Sequence, residues 1–140
     1  MKNQYNIPCN IAQTLNIIGD KWTLLILRQL SKGQDTYSAL MENLEGISSN
    51  LLSNRLKDLE KDGIITPALY QKHPPRYRYI LTESGEDLDD VFNSIIIWGE
   101  KHLKECHKEL VHSSCNHKVE LQYHCPHCKK IIDKKDIATR

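Results

Sequence analysis

The sequence predicts a mainly α-helical fold with one small β-hairpin, and three observations carry that prediction. Two short amphipathic segments, TYSALMENL and NLLSNRLKDLEKDG, stand on either side of the tight turn GISS. Directly afterwards, IITPALYQKHPPRYRYILT reads as two strands joined by a proline-bearing turn. Around this centre, apolar residues recur at helical spacing before Thr36 and again from Leu88 to Leu103. Helix, turn, helix and hairpin in that order are the layout of a winged helix-turn-helix. Its second helix can enter a DNA major groove while the hairpin tip reaches the adjacent backbone or minor groove. The expected organisation is a winged-helix and dimerisation domain over residues 1–105, ending in a long C-terminal helix. A short zinc-ribbon-like tail over residues 106–140 follows, where the composition changes to Cys and His.

The first helix is expected from near Ile7–Asn10 to Ile18, with Ile11, Leu15 and Ile18 at helical spacing and Gly19 ending it. Asp20 precedes KWTLLILRQL, where Trp22, Leu25, Ile26 and Leu30 suggest a largely buried helix stopped by Gly33. Asp35 or Thr36 can cap the third helix, whose inner face is Tyr37, Leu40, Met41 and Leu44. Gly46 closes it and Ser48 is a suitable N-cap for the fourth. His73-Pro74-Pro75 cannot lie inside a central strand and so marks the hairpin turn. Ser84 is the expected cap of the last helix, with Leu88, Val91, Phe92, Ile95, Trp98 and Leu103 along one face. Such a stripe folds back on the first helix or packs against a second subunit, and a homodimer is the expected arrangement.

In the fourth helix Leu52, Leu56 and Leu59 bury one face and turn Ser49, Asn50, Ser53, Asn54 and Lys57 outward. That outer face is short, polar and hydrogen-bonding. Asn can pair with adenine, Arg with guanine, and Ser with bases or phosphates. A solvated structural helix would carry Glu and Lys there, as the later turns of this one do. Arg76 and Arg78 alternate along the second strand, so both can face phosphates from one side.

A net charge of +1 conceals a segregation. Residues 52–82 hold six Lys and Arg against three Asp and Glu, a local +3; residues 83–105 hold two against seven, a local −5. A polyanion is drawn to the first stretch and repelled by the second. No apolar run is long enough to span a bilayer, and MKNQYNIPCN has no leader-like apolar core. The expected compartment is therefore the cytoplasm, where five cysteines point to metal or redox chemistry rather than structural disulfides.

In the tail, His112, Cys115, Cys125 and Cys128 follow H-x2-C-x9-C-x2-C, two knuckles separated by the strand-like VELQY. Four such ligands suit tetrahedral structural zinc, which would supply stability that so short a segment lacks. His107, His117, His124, His127 and Cys106 are nearby alternatives, and a reversible metal-sensing role is a further reading. Cys125-Pro126-His127-Cys128 also matches a dithiol oxidoreductase motif. It lies 12 residues from the last residue with no sheet to follow, so an enzyme is not expected.

The stretches CNIAQTLNIIGDKWTLLILRQL, TYSALMENLEGISSNLLSNRLKDLEKDGII and PPRYRYILTESG, with the helix ending in WGE, resemble the HxlR-type winged-helix transcriptional regulators, relatives of MarR-type proteins. The resemblance covers about residues 9–103. It implies a homodimer that binds double-stranded operator DNA near promoters, with repression the expected sign. Carried onto this chain, the DNA-facing residues are Ser49, Asn50, Ser53, Asn54 and Arg55 of the second helix and Arg76 and Arg78 of the wing. In some members a cysteine at the position of Cys9 senses electrophiles or oxidants. Cys9 also sits ahead of a helix N-terminus, where free N–H groups favour a thiolate. The rival reading is a winged helix used as a protein-interaction module. An interaction surface would show exposed aromatic or aliphatic anchors where this chain has Ser, Asn and Arg.

Overall fold

The computed structural model describes residues 4–105 and 108–140. The chain divides into two compact units, residues 1–92 and residues 93–140. In the first unit, four helices precede the hairpin: α1 (Asn10–Ile18), α2 (Thr23–Ser31), α3 (Tyr37–Asn43) and α4 (Ser49–Lys61). The hairpin is β1 (Ile65–Gln71) and β2 (Arg76–Leu81), paired antiparallel from Ile65↔Leu81 to Gln71↔Arg76. A short α5 (Glu83–Glu86) leads into α6 (Asp89–His102), within which the division between the units falls. No helix among the described residues is long and apolar enough to cross a membrane.

The helix starts follow from local chemistry. Thr36 accepts a hydrogen bond from the Ala39 N–H at 3.2 Å, and Ser48 accepts from the Leu51 N–H at 3.2 Å. Each satisfies an otherwise orphan donor, worth about 1 kcal/mol. Leu52, Leu56 and Leu59 of α4 are buried together with Ile26, Leu27 and Leu40. Each such side chain contributes about 1.5–3 kcal/mol relative to exposure. The outer face of α4 is thereby fixed by its inner one. Gly63 takes φ +74 after α4, and the Ile64 N–H reaches back to the Leu59 carbonyl at 2.9 Å. A left-handed residue at this point turns the chain out of the helix and into the wing.

The structure sets the buried face of α1 and corrects two expectations, one about α2 and one about a cap. On α1 the buried residues are Ala12 and Ile18, whereas Ile11 is 72% exposed and Leu15 also faces outward. On α2, Leu25 is exposed and the buried set is Thr23, Ile26, Leu27 and Leu30. Helical spacing identifies an apolar face but not which of two apolar faces meets the core, and both helices have apolar residues on more than one side. Thr82, not Ser84, is the cap after the wing: its hydroxyl accepts from the Gly85 N–H at 3.3 Å. The expected single helix is split into α5 and α6, and the chain here passes hard against Ile64, just ahead of β1. A Cβ on Gly85 would lie 2.4 Å from the Ile64 carbonyl oxygen. Gly85→Ala is therefore expected to cost about 1–3 kcal/mol of unfolding free energy in a urea titration, as overpacking does.

Candidate nucleic-acid interface

On α4, Ser49, Asn50 and Asn54 are exposed and Ser53 is half-buried, so these four share the outward side of the helix. The helix is held from two directions. The Tyr37 hydroxyl donates to the Ser49 carbonyl at 2.9 Å, tying the start of α4 to the start of α3. Further along, Arg55 Nε stands 3.3 Å from Asp20 Oδ1, and Arg55 Nη1 stands 2.9 Å from Asp58 Oδ2. Asp20 meanwhile accepts from the backbone N–H groups of Trp22 and Thr23 at 3.0 and 3.1 Å, and from the Thr23 hydroxyl. One carboxylate thus caps α2 and pairs with the guanidinium of α4 by charge, the buried Arg55 Nε making no hydrogen bond among the described residues. The side chains of Arg55 and Asp20 are each 17% exposed. Arg55, expected at the DNA, has its guanidinium turned to these two carboxylates.

The wing is attached by a comparable contact. Arg78 Nη1 pairs with Asp35 Oδ1 at 2.8 Å, its guanidinium lies 5.2 Å from the Tyr70 ring centre, and the Tyr79 N–H donates to the Asp35 carbonyl at 2.8 Å. Arg76 is exposed and forms no ion pair among the described residues. Of the two wing arginines, then, Arg76 has its charge uncommitted and Arg78 shares its charge with a carboxylate. Between helix and wing runs a groove of about 300 Å³, with Ser53, Lys57 and Glu60 on one wall and Pro67, Tyr77 and Tyr79 on the other. Burial, with Glu60 nearby, pushes the Tyr79 phenol above its ordinary range, so it stays a neutral hydrogen-bonding group.

Asp20, Asp35 and Tyr37 are the functional residues that sequence reasoning missed. Asp20 and Asp35 stood out only as helix-start residues. Their partners lie 35 and 43 positions away in the chain, where no local pattern points.

At the other end of this unit, Cys9 is exposed with extended backbone at the N-terminus of α1. The N–H groups of Ala12, then Ile11, lower its thiol below the ordinary range, against a small opposing effect of burial. The preceding segment is tied down: the Asn16 side chain accepts from the Tyr5 N–H at 2.8 Å and donates to the Tyr5 carbonyl at 3.0 Å. Gln13 donates to the Ile7 carbonyl at 2.8 Å.

In the second unit, β3 (Tyr123–Cys125) and β4 (Lys130–Ile132) pair antiparallel around Cys125 and Cys128. The Cys128 N–H donates to Cys125 Sγ at 3.4 Å. That N–H leads, with the Cys128 thiol and the His127 N–H, in lowering the Cys125 thiol below its ordinary range. A second turn brings His112 Nδ1 to 3.4 Å from Cys115 Sγ. The four expected ligands therefore stand as two pairs. No group of three or more His, Cys, Asp or Glu is arranged to hold a metal among the described residues. Cys106 and His107, the alternative ligands, lie outside the described residues.

Residues 17–107 match the model of the HxlR-like helix-turn-helix family. The chain belongs to that family. It is similar to the uncharacterized HTH-type transcriptional regulator YtcD of Bacillus subtilis, at 34% identity over 102 residues, covering 73% of this chain and 79% of YtcD. Among solved structures it is similar to PA1607, a candidate transcription factor, with a TM-score of 0.81, 26% identity and 96% of each chain covered. It is also similar to the redox regulator HypR in its reduced form, with a TM-score of 0.61, 29% identity, and coverage of 69% of this chain and 95% of HypR. The HxlR-like chain is thus a helix-turn-helix transcriptional regulator, not an enzyme.

Proposed function

We propose that the chain is a homodimeric, sequence-specific repressor that reads a two-fold symmetric operator. The observation that carries this reading is the polar outer face of α4, flanked across a groove by a wing whose Arg76 forms no ion pair among the described residues. Two recognition helices would enter successive major grooves about one DNA turn apart. Ser49, Asn50, Ser53 and Asn54 then meet base edges and phosphates, while Arg76 and Arg78 meet phosphates. Dimerisation is supported by apolar residues left outside both units: Ile7, Ile11 and Leu15 in the first, Ile95, Trp98 and Leu103 in the second.

Fluorescence anisotropy of the reduced protein with its own upstream DNA, competed by scrambled DNA across salt concentrations, tests the reading. Selective binding that weakens with salt is expected. Equal, weak binding to both DNAs would instead favour an interaction module.

Cys9 is the proposed sensor of oxidants or electrophiles, supported by its exposure, its lowered thiol and the likeness to HypR. The thiolate is the reacting form, so alkylation should proceed at a lower pH than for an ordinary cysteine and fall away as pH drops through the depressed value. Diamide is expected to release the unaltered protein from DNA and to leave Cys9→Ala bound. Release of both to the same extent would remove Cys9 from the mechanism. The Cys/His tail enters the proposal as an appendage held by structural zinc, with the chemistry of its donor set as the support.

A further inference from the structure

Resting on that reading of the tail, we infer that its two turns are the two halves of one zinc site, with His112 (through Nδ1), Cys115, Cys125 and Cys128 as the ligands. The turns are built alike, which the sequence motif alone does not require. In the first, the Asn116 N–H donates to the His112 carbonyl at 2.8 Å; in the second, the Lys129 N–H donates to the Cys125 carbonyl at 2.7 Å. Each bond spans four residues, and each donor takes a left-handed backbone, φ 58 at Asn116 and φ 56 at Lys129. These two are the only non-glycine residues with positive φ among the described residues. A side chain normally avoids that region, so its appearance at the same step of two turns marks a shared design.

Each turn also sits at the tip of a hairpin. The Val111↔Lys118 bridge closes the first, and β3 with β4 closes the second. The effect of the shared turn is to place ligands i and i+3 on one side as a chelating pair. His112 Nδ1 and Cys115 Sγ are 3.4 Å apart, against the roughly 3.5 Å edge that tetrahedral zinc with ordinary Zn–N and Zn–S bonds requires. In the second pair, the Cys128 N–H already donates to Cys125 Sγ at 3.4 Å, a bond that a metal-held thiolate retains.

The rival histidines lack this placement. His124 lies next to Cys125 in β3, and successive strand residues project to opposite faces. The His117 carbonyl accepts from the His112 N–H, which places His117 on the outgoing arm of the first hairpin rather than in its turn. His127 is the nearest competitor, with Nδ1 at 3.9 Å from Cys128 Sγ, but it sits between the two cysteines of one turn. The structure holds these ligands as two pairs, with no group of three or more gathered to hold a metal among the described residues, so zinc would have to draw the two hairpins together.

The test uses the full-length chain without an affinity tag, expressed with added zinc, its metal content measured by mass spectrometry and its ligands by the Co(II)-substituted spectrum. About one zinc per chain is expected, with a Co(II) spectrum of three thiolates and one nitrogen. His112→Ala, Cys115→Ser and Cys125→Ser should each retain less than about a tenth of that zinc, and His117→Ala and His127→Ala should keep it. Should a variant fail to fold, the Co(II) spectrum of the unaltered chain still decides between three thiolates and two. Full zinc in the His112→Ala and Cys115→Ser variants would overturn the ligand set alone. Absence of zinc from the unaltered chain would overturn the reading of the tail as well.

Discussion

Asp20→Asn is expected to weaken operator binding by about tenfold, or about 1.4 kcal/mol, while leaving the salt dependence of binding unchanged. The direction is informative. Deleting a negative charge from a DNA-binding protein strengthens attraction to a polyanion if only long-range electrostatics act. A loss is expected here because the ion pair of Asp20 with Arg55 ties α4 to the start of α2. Asn can still accept from the N–H groups at the start of α2, so the cap survives and what is lost is the carboxylate that balances the Arg55 charge. Arg55→Met should give a similar loss, again with no change in salt slope, and the double variant should fall well short of the sum. Both side chains are mostly buried, so each variant should also lose roughly 2 kcal/mol of stability in denaturant titrations, between the exposed and fully buried cases. The outcome that would sink this account is a slope lowered by about one for Arg55→Met with Asp20→Asn silent, which would return Arg55 to the phosphates.

Arg76→Ala is expected to weaken binding to operator and scrambled DNA alike and to lower the salt slope by about 0.9, the signature of one lost phosphate contact. Arg78→Ala should change the slope less, because Asp35 already neutralises part of its charge. Its larger effect should be a loosened wing, seen as faster amide exchange in β1 and β2. Asn54→Ala should behave differently from both, eroding discrimination by about 1–3 kcal/mol with little change in slope. Uniform, sequence-independent losses from all three would count against base readout by α4. Anisotropy titrations at several salt concentrations separate these cases.

How much of this was legible in advance differs by feature. The order of helices and hairpin, the caps Thr36 and Ser48, and the outward face of α4 all follow from neighbours within a few residues, and the structure has them as expected. The outward position of Ile11 and Leu15 on α1 and of Leu25 on α2 is not legible in the spacing, because an apolar residue does not say which surface it will meet. The split between α5 and α6 was hidden for a related reason. Here Gly85 passes so close to the Ile64 carbonyl that a Cβ would lie 2.4 Å from its oxygen, a contact between distant positions that no local pattern shows.

The same division holds for the residues of function. By itself the sequence determined the family, the polar outer face of α4 and the paired spacing of Cys and His in the tail, since spacing along one helix or one turn specifies each of them. Only the tertiary structure decided that Arg55 is held by Asp20, that Arg78 is held by Asp35 while Arg76 is uncommitted, and that the two Cys/His turns share one backbone design. Side-chain charge is written in the sequence, but which charge is neutralised depends on what folding brings within a few ångströms of it.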